Sequence, residues 1–313
     1  VTRFRITTLG CKVNQYDAQA VATALADAGL QPAAETHDAP VDLVVVNTCC
    51  VTAAAMRKTR QAIRRAVRGS PRAAVLVTGC YSDYDARRIG AVLAALGVEE
   101  ERITLAGHHD DVAVRIEQLV CRLRPQARTA ATTGQRPAGP RAEPRGNDIS
   151  MNAPGDARFT ASPTSIRTRR TAAVKAHVAG MQRLGPIRRF AAHQRAFVKV
   201  QDGCDAFCSY CIVPYTRPRV WSRSPRQILQ ECRHLLAAGH REIVLCGVFL
   251  GAFGRPTAVR RRWDAAASPL PELLRRVAEL DGLWRVRLSS LEPGDVTDEL
   301  LTVARGAPRV APH

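Results

Sequence analysis

An α/β fold built on parallel sheets is predicted for this chain by three observations. Apolar, β-branched runs alternate with helix-like stretches through the first 120 residues. The alternation then stops in a stretch rich in Arg, Ala, Thr and Pro, and it resumes at Ala196. Strands alternating with helices at this rhythm imply parallel sheets with right-handed crossovers.

Arg3–Leu9 reads as the first strand and Tyr16–Ala28 as a helix that Gly29 ends. Val41–Val46 is the second strand, followed by a helical stretch from Ala53 to Val67 that stops at Gly69. Ala73–Thr78 is the third strand and Asp83–Leu96 a helix stopped by Gly97. Ile103–Ala106 reads as a short fourth strand and Val112–Leu123 as a closing helix. From Arg124 to about Arg189 large apolar residues are too few to offset the entropy of chain ordering, which predicts a disordered linker. A weak helical pattern runs from Thr171 to Leu184, and a basic arm touching RNA is the alternative to an inert linker. Ala196–Gln201 is the next strand, and Pro225–Ala238, Glu242–Cys246, Leu270–Leu280, Arg285–Ser289 and Asp295–Ala304 follow as helix, strand, helix, strand and helix. The expected organisation is therefore a first domain over 1–121, a basic low-complexity linker over 122–192 and a second domain over 193–313.

Composition narrows the function class. With 46% hydrophobic residues in 313 the chain can build a sizeable core. No run of 18 apolar residues appears and residues 1–10 lack a charged-then-apolar pattern, so the expected setting is the cytoplasm, without a membrane. The net charge of +18 points toward nucleic acid. All but four of the 46 basic residues are Arg, however, as coding bias would also give, and two-thirds of the excess charge lies between Arg122 and Arg195.

Ten cysteines need a reason in a reducing compartment. Cys204, Cys208 and Cys211 form a Cys-x3-Cys-x2-Cys run directly after a strand. Three thiolates on a cubane leave one iron open to bind another molecule, whereas closed zinc sites take four ligands and no second cysteine pair lies nearby. Cys11, Cys49 and Cys80 each follow a predicted strand, at spacings of 38 and 31 residues that match one βαβ unit apiece. Equivalent loops of a parallel sheet share its carboxyl edge, so these three thiols are expected to converge. Three independent buried cysteines are the alternative. Cys50, Cys121, Cys232 and Cys246 read as buried free thiols.

The segments Val198–Cys204 and Cys211–Arg217, with Tyr210 before the last cysteine, resemble the radical S-adenosylmethionine signature. That resemblance implies a 4Fe–4S cluster on Cys204, Cys208 and Cys211 whose open iron chelates S-adenosylmethionine and cleaves it to a 5′-deoxyadenosyl radical. It also implies a partial (β/α)6 barrel, with Tyr210, Gly247 and Glu292 on the cofactor side. An ordinary tight turn at Gly247 and a surface carboxylate at Glu292 are the plainer readings of those two residues. Thr8–Tyr16, Asn47–Thr52 and Gln201–Cys204 resemble the methylthiotransferases, closest to the branch acting on threonylcarbamoyladenosine in tRNA, the MtaB branch.

The family resemblance implies a second 4Fe–4S cluster on Cys11, Cys49 and Cys80. It further implies tRNA and an unidentified electron-donor protein as partners, and transfer of a methylthio group to carbon 2 of N6-threonylcarbamoyladenosine at position 37; the sequence leaves the oligomeric state open, with a monomer expected. Alternatives are the same chemistry on another tRNA base or on a ribosomal protein, and an inactive iron–sulfur-binding fragment. Two local departures from the family pattern are Pro218, where Gly is usual, and Cys50, where Thr is usual. The sequence also stops at about the place where a fourth barrel strand is expected, which predicts an exposed strand edge there.

Overall fold

The computed structural model describes residues 2–33, 40–108, 110–123, 184–190, 194–264 and 266–311. The first half is a five-stranded parallel sheet. Its strands are β1 (Arg3–Thr8), β2 (Gln31–Pro32), β3 (Leu43–Thr48), β4 (Ala74–Gly79) and β5 (Ile103–Ala106), in the spatial order β2-β1-β3-β4-β5. Helices α1 (Lys12–Asp27), α2 (Ala53–Gly69), α3 (Cys80–Tyr84), α4 (Ala86–Ala94) and α5 (Val112–Leu123) connect or close these strands. The sheet separates two cores because successive strand side chains point to opposite faces. Leu43 and Val45 of β3 join one core with Phe4, Leu25 and Leu119, while Val44 and Val46 join the other with Ile63, Val77 and Ile89.

The second half is a four-stranded sheet of β6 (Arg195–Asp202), β7 (Trp221–Ser222), β8 (Glu242–Gly247) and β9 (Arg285–Leu288), ordered β7-β6-β8-β9. Strands β6, β8 and β9 are parallel, and β7 runs antiparallel to β6. The helices of this half are α6 (Val213–Thr216), α7 (Pro225–Ala237), α8 (Leu270–Ala278) and α9 (Asp298–Gly306). Helix α7 starts on a full capping box, Ser224 with Gln227, and carries Pro225 in its first turn.

Helix α1 joins the halves. It packs on β1 and β3 of the first sheet and on β6 and β8 of the second. One hydrophobic cluster accordingly runs from Phe4 and Leu119 through Tyr16 to Val198, Ile228 and Leu245.

Several elements differ from the sequence reading. Helix α1 begins at Lys12 rather than Tyr16, with Cys11 in extended backbone at its N-cap. The helix expected over Asp83–Leu96 is two helices, because the Asp85 carboxylate accepts from Arg88 N at 3.0 Å and so starts a new one. The helix expected from Asp295 starts at Asp298, where Thr297 caps Leu300 N, and Pro293–Asp295 forms a separate 3₁₀ turn. Strands β2 and β7 have two residues each, too short for any periodic signal. Within the stretch read as linker, Leu184, Ile187 and Phe190 are buried against the shared core. The helical pattern over Thr171–Leu184 lies, apart from Leu184, outside the described residues. At the expected open edge, Val286 N donates to Arg309 O (2.8 Å) and Ala311 N to Val286 O (2.9 Å), so Val310 bridges β9 in parallel and takes up part of that edge. Among the described residues no helix is long and apolar enough to cross a membrane.

Candidate metal centre

Cys11, Cys49 and Cys80 lie just beyond the carboxyl ends of β1, β3 and β4, which are neighbours in the sheet. Register pairs Thr8 with Asn47 and Thr48 with Gly79, so the three loops leave the sheet side by side. Side-chain amides pin two of them together. Asn14 Nδ2 donates to Leu9 O (2.6 Å) and Thr48 O (2.8 Å), and Asn47 Nδ2 donates to Asn14 O (2.6 Å). Thr59 on α2 holds the second of these loops by accepting from Cys49 N (3.3 Å) and donating to Cys49 O (3.1 Å). A Cβ placed on Gly10 would lie 3.1 Å from Cys49 Sγ, which shows how closely the first loop approaches the second.

The thiols differ in character. Burial raises the pKa of Cys49, and the neighbouring Cys80 and Cys11 add to the rise. Cys80 is held well below the ordinary thiol range, first by a hydrogen bond from Cys50 and then by the charges of Arg217 and His108, which together outweigh burial. The same bond to Cys80, with burial, pushes Cys50 upward. Cys80 Sγ lies 3.5 Å from His108 Nε2 and accepts from Arg217 Nε at 3.5 Å. A sulfur surrounded by these donors sits in the electropositive setting that favours a thiolate ligand.

The clustered cysteines follow β6. Gly203 takes φ +78, and a Cβ there would run into the Arg219 and Arg217 carbonyls, so only glycine admits this turn. Cys204 N donates to Arg217 O and Cys211 N to Cys208 O, both at 3.0 Å. Burial, with added repulsion from Cys211 and Cys208, raises Cys204. Within this loop Phe207 is left-handed at φ +51 and meets Tyr215 edge-on, with ring centroids 5.6 Å apart.

The other predicted site residues are placed as follows. Tyr210 is 89% exposed, the most open large side chain of the loop. At Gly247 the missing Cβ admits Gln201, whose Oε1 would stand 2.9 Å from a Cβ there. Gln201 uses that access to accept from Phe249 N (2.8 Å) and to donate to Gly203 O (2.8 Å), so it links the β8 loop to the cysteine loop. Glu292 lies just beyond β9 and accepts from Arg260 (2.6 Å), which also binds Asp295 (2.8 Å) and stacks over Phe249 at 5.0 Å.

Between the two cysteine sets lies a buried ionic cluster. Asp17 of α1 accepts from Lys199 (2.5 Å) and Arg217 (2.6 Å). Asp202 accepts from Lys199 (2.7 Å) and from Arg217 Nη1 at 2.7 and 2.9 Å. Burial alone would raise the Asp17 carboxyl, but Lys199 and Arg217 more than offset it and hold it low. A second knot joins Tyr16 of α1 to Arg223 (2.9 Å) and Glu231 (3.2 Å), with Arg223 on Glu231 at 2.7 Å. Sequence reasoning missed these residues, although Asp202 and Arg217 lie inside the segments quoted for the cluster signature. The partner that completes the cluster, Asp17, is remote in sequence, 182 residues from Lys199 and 200 from Arg217.

Two sets of three thiols suit iron–sulfur clusters by donor chemistry. In each set at least one thiol titrates under the influence of both others. Among the described residues, no three His, Cys, Asp or Glu side chains close around a single point as one ion requires.

Comparison with known proteins agrees with the geometry. Residues 3–96 match the model of the uncharacterized protein family UPF0004. The chain resembles methylthiotransferases over nearly its whole length. It is 29% identical to the threonylcarbamoyladenosine tRNA methylthiotransferase MtaB of Chlamydia pneumoniae, over 95% of this chain and 53% of that protein. It is 32% identical to the tRNA-2-methylthio-N(6)-dimethylallyladenosine synthase of Sphingopyxis alaskensis, over 97% of this chain and 55% of that protein. The chain thus spans about half the length of the curated relatives it matches. Among solved structures, the radical S-adenosylmethionine methyltransferase TsrM from Kitasatospora setae superposes with a TM-score of 0.54 at 15% identity, over 98% of this chain and 57% of that one. At that identity the likeness establishes the fold, an α/β domain followed by a partial barrel sheet.

Proposed function

We propose that this chain is part of a tRNA methylthiotransferase that adds a methylthio group to carbon 2 of N6-threonylcarbamoyladenosine at position 37. The observation that carries this reading is the position of one three-cysteine set beyond the carboxyl ends of β1, β3 and β4 and of the other in the loop after β6, with the Cys80 sulfur 3.5 Å from Arg217 of the other set's loop. When bound, the two clusters and S-adenosylmethionine supply one-electron chemistry, the methyl group and the sulfur. The chain's own residues do the holding. Cys204, Cys208 and Cys211 would ligate one cluster, and Cys11, Cys49 and Cys80 the other. Gln201 fixes the loop after β8 against the loop of Cys204, and Tyr210 stands free beside Cys211 to meet the cofactor. Glu292, fixed by Arg260, would border the same region. The cytoplasm, tRNA and an electron-donor protein belong to the same proposal.

The wording around Cys11, Cys49 and Cys204 supports threonylcarbamoyladenosine as the target. Similarity to dimethylallyladenosine synthases supports a second substrate, isopentenyladenosine in tRNA. A site built to pair the carbamoyl and carboxylate groups leaves them unpaired against a prenyl chain, which gives strong selectivity. Anaerobic reconstitution should yield about eight irons per chain, and about four after Cys204, Cys208 and Cys211 are changed to Ala. Mass spectrometry of tRNA nucleosides, after expressing the chain joined to the remaining length of its relatives, should show methylthiolated threonylcarbamoyladenosine alone. Zinc in place of iron would overturn the chemistry, and equal modification of both nucleosides would overturn the substrate.

A further inference from the structure

Arg217 touches both cysteine sets. Its backbone carbonyl accepts from Cys204 N at 3.0 Å, and its Nε donates to Cys80 Sγ at 3.5 Å. The remaining guanidinium nitrogens are held by Asp202, Asp17 and Asn14 at 2.6 to 3.3 Å, and the side chain is only 4% exposed. A planar guanidinium presents its donors in a fixed fork, so the two carboxylates and the amide determine where Nε points. The carboxylates come from different halves of the protein, Asp17 from α1 and Asp202 from β6. Nε is therefore aimed at the sulfur by both halves at once.

We propose that Arg217 is a positioning residue that sets the electronic state of a cluster on Cys11, Cys49 and Cys80 from within the loop that carries the other cluster. The inference rests on the two-cluster reading above. A hydrogen bond and a positive charge on a ligand sulfur stabilise the more negative, reduced cluster and raise its potential. Because the same residue anchors Cys204 N, a movement of that loop would be felt at Cys80. Cys50 and His108 also face Cys80, but neither belongs to the second half of the chain.

The test uses the full chain with Cys204, Cys208 and Cys211 changed to Ala, so that one cluster is observed alone. Arg217→Lys keeps a cation for Asp17 and Asp202 but loses the fork, and the midpoint potential should move negative with iron per chain unchanged. Asp17→Asn removes a negative charge while its amide oxygen still accepts from the Arg217 fork, so Nε stays aimed and the potential should move positive. A role confined to folding predicts a different pattern: iron and melting temperature fall together in both variants, and the potential of the remaining cluster stays where it was. That pattern overturns the proposal, as does a shift of the same sign in both variants. If Arg217→Lys holds no iron, pulsed electron paramagnetic resonance of the parent with ¹⁵N-arginine decides. A nitrogen coupling to the reduced cluster is expected, and its absence overturns the proposal. A parent without iron overturns the two-cluster reading as well, whereas a parent with iron and no coupling overturns this inference alone.

Discussion

Replacing Asp17 by Asn probes how the two halves are held. Asp17 is 5% exposed, with one carboxylate oxygen on Lys199 Nζ at 2.5 Å and the other on Arg217 Nη2 at 2.6 Å. With Asp202 the four groups are charge-balanced, two carboxylates against two cations. Asn leaves an unbalanced positive charge in a dry site, and its amide nitrogen must face a donor. Breaking a buried pair from one side costs about 3–5 kcal/mol. Asn still accepts one bond, so the lower end, about 3 kcal/mol, is expected. For a protein of 313 residues that lowers the melting temperature by roughly 4–5 °C. Restoring charge balance with Lys199→Met in the Asp17→Asn background should recover a measurable part, because residues in one network couple by about 0.5–3 kcal/mol. Calorimetry on the four members of the cycle measures both quantities. The pH dependence has a definite sign. Asp17 is held below its unfolded value of about 3.9, so its stabilisation is complete above that pH and is lost as pH falls toward the folded value. Asp17→Asn should therefore narrow the gap to wild type in acid. A variant that melts within 1 °C or so of wild type at neutral pH, with no coupling to Lys199, would refute the reasoning.

Two further outcomes follow from the packing. Cys50→Thr should keep iron close to the parental content and Cys49→Thr should lose about four irons, because Cys49 follows β3 as Cys80 follows β4, in the register that pairs Thr48 with Gly79; iron and sulfide assay of both variants decides, and the reverse ranking would move the ligand to Cys50. Ile187→Ala should cost about 2–5 kcal/mol, because Ile187 is 0% exposed within the core that spans both halves; denaturant unfolding measures this, and a loss below about 0.5 kcal/mol would mean that residues 184–190 do not hold the halves together.

The parallel sheets were legible because β-branched runs such as Leu43–Thr48 and Ala74–Gly79 stand between helices of ordinary length. The placement of Cys11, Cys49 and Cys80 at one edge of the sheet was legible for the same reason, since each occupies the same phase of a strand–helix unit. What escaped has particular causes. The break at Asp85 depends on one carboxylate choosing a backbone N–H over solvent, which periodicity does not register. Ile187 and Phe190 sit among Arg and Pro, so local composition hid two buried side chains. Cys50 looked like an ordinary buried thiol until the fold set it beside Cys80. Gly247 carried a real signal of close approach, but the group it admits is Gln201. The ionic cluster was invisible because Asp17 and Lys199 are distant in sequence and only α1 brings them together.

Stability alone does not account for that cluster. Each buried ion costs several kcal/mol of hydration, and apolar side chains of similar volume often serve as well or better. Apolar contacts, however, leave a helix free to slide or turn by small amounts on its neighbour. The four charges do not, since each carboxylate oxygen of Asp17 is committed to a different donor, one on β6 and one on the loop after Cys211. Tyr16, the adjacent residue, is committed to Arg223 and Glu231 in the same half. Two consecutive residues of α1 thus fix its rotation and its register against the second sheet. Cys11 precedes that helix directly and Cys204 follows β6 after Gly203 alone, so the bonds that hold α1 on β6 also fix how the two cysteine sets face each other. A chain in which Asp17, Lys199, Asp202 and Arg217 are all replaced by apolar residues should keep much of its stability while losing that fixed relation.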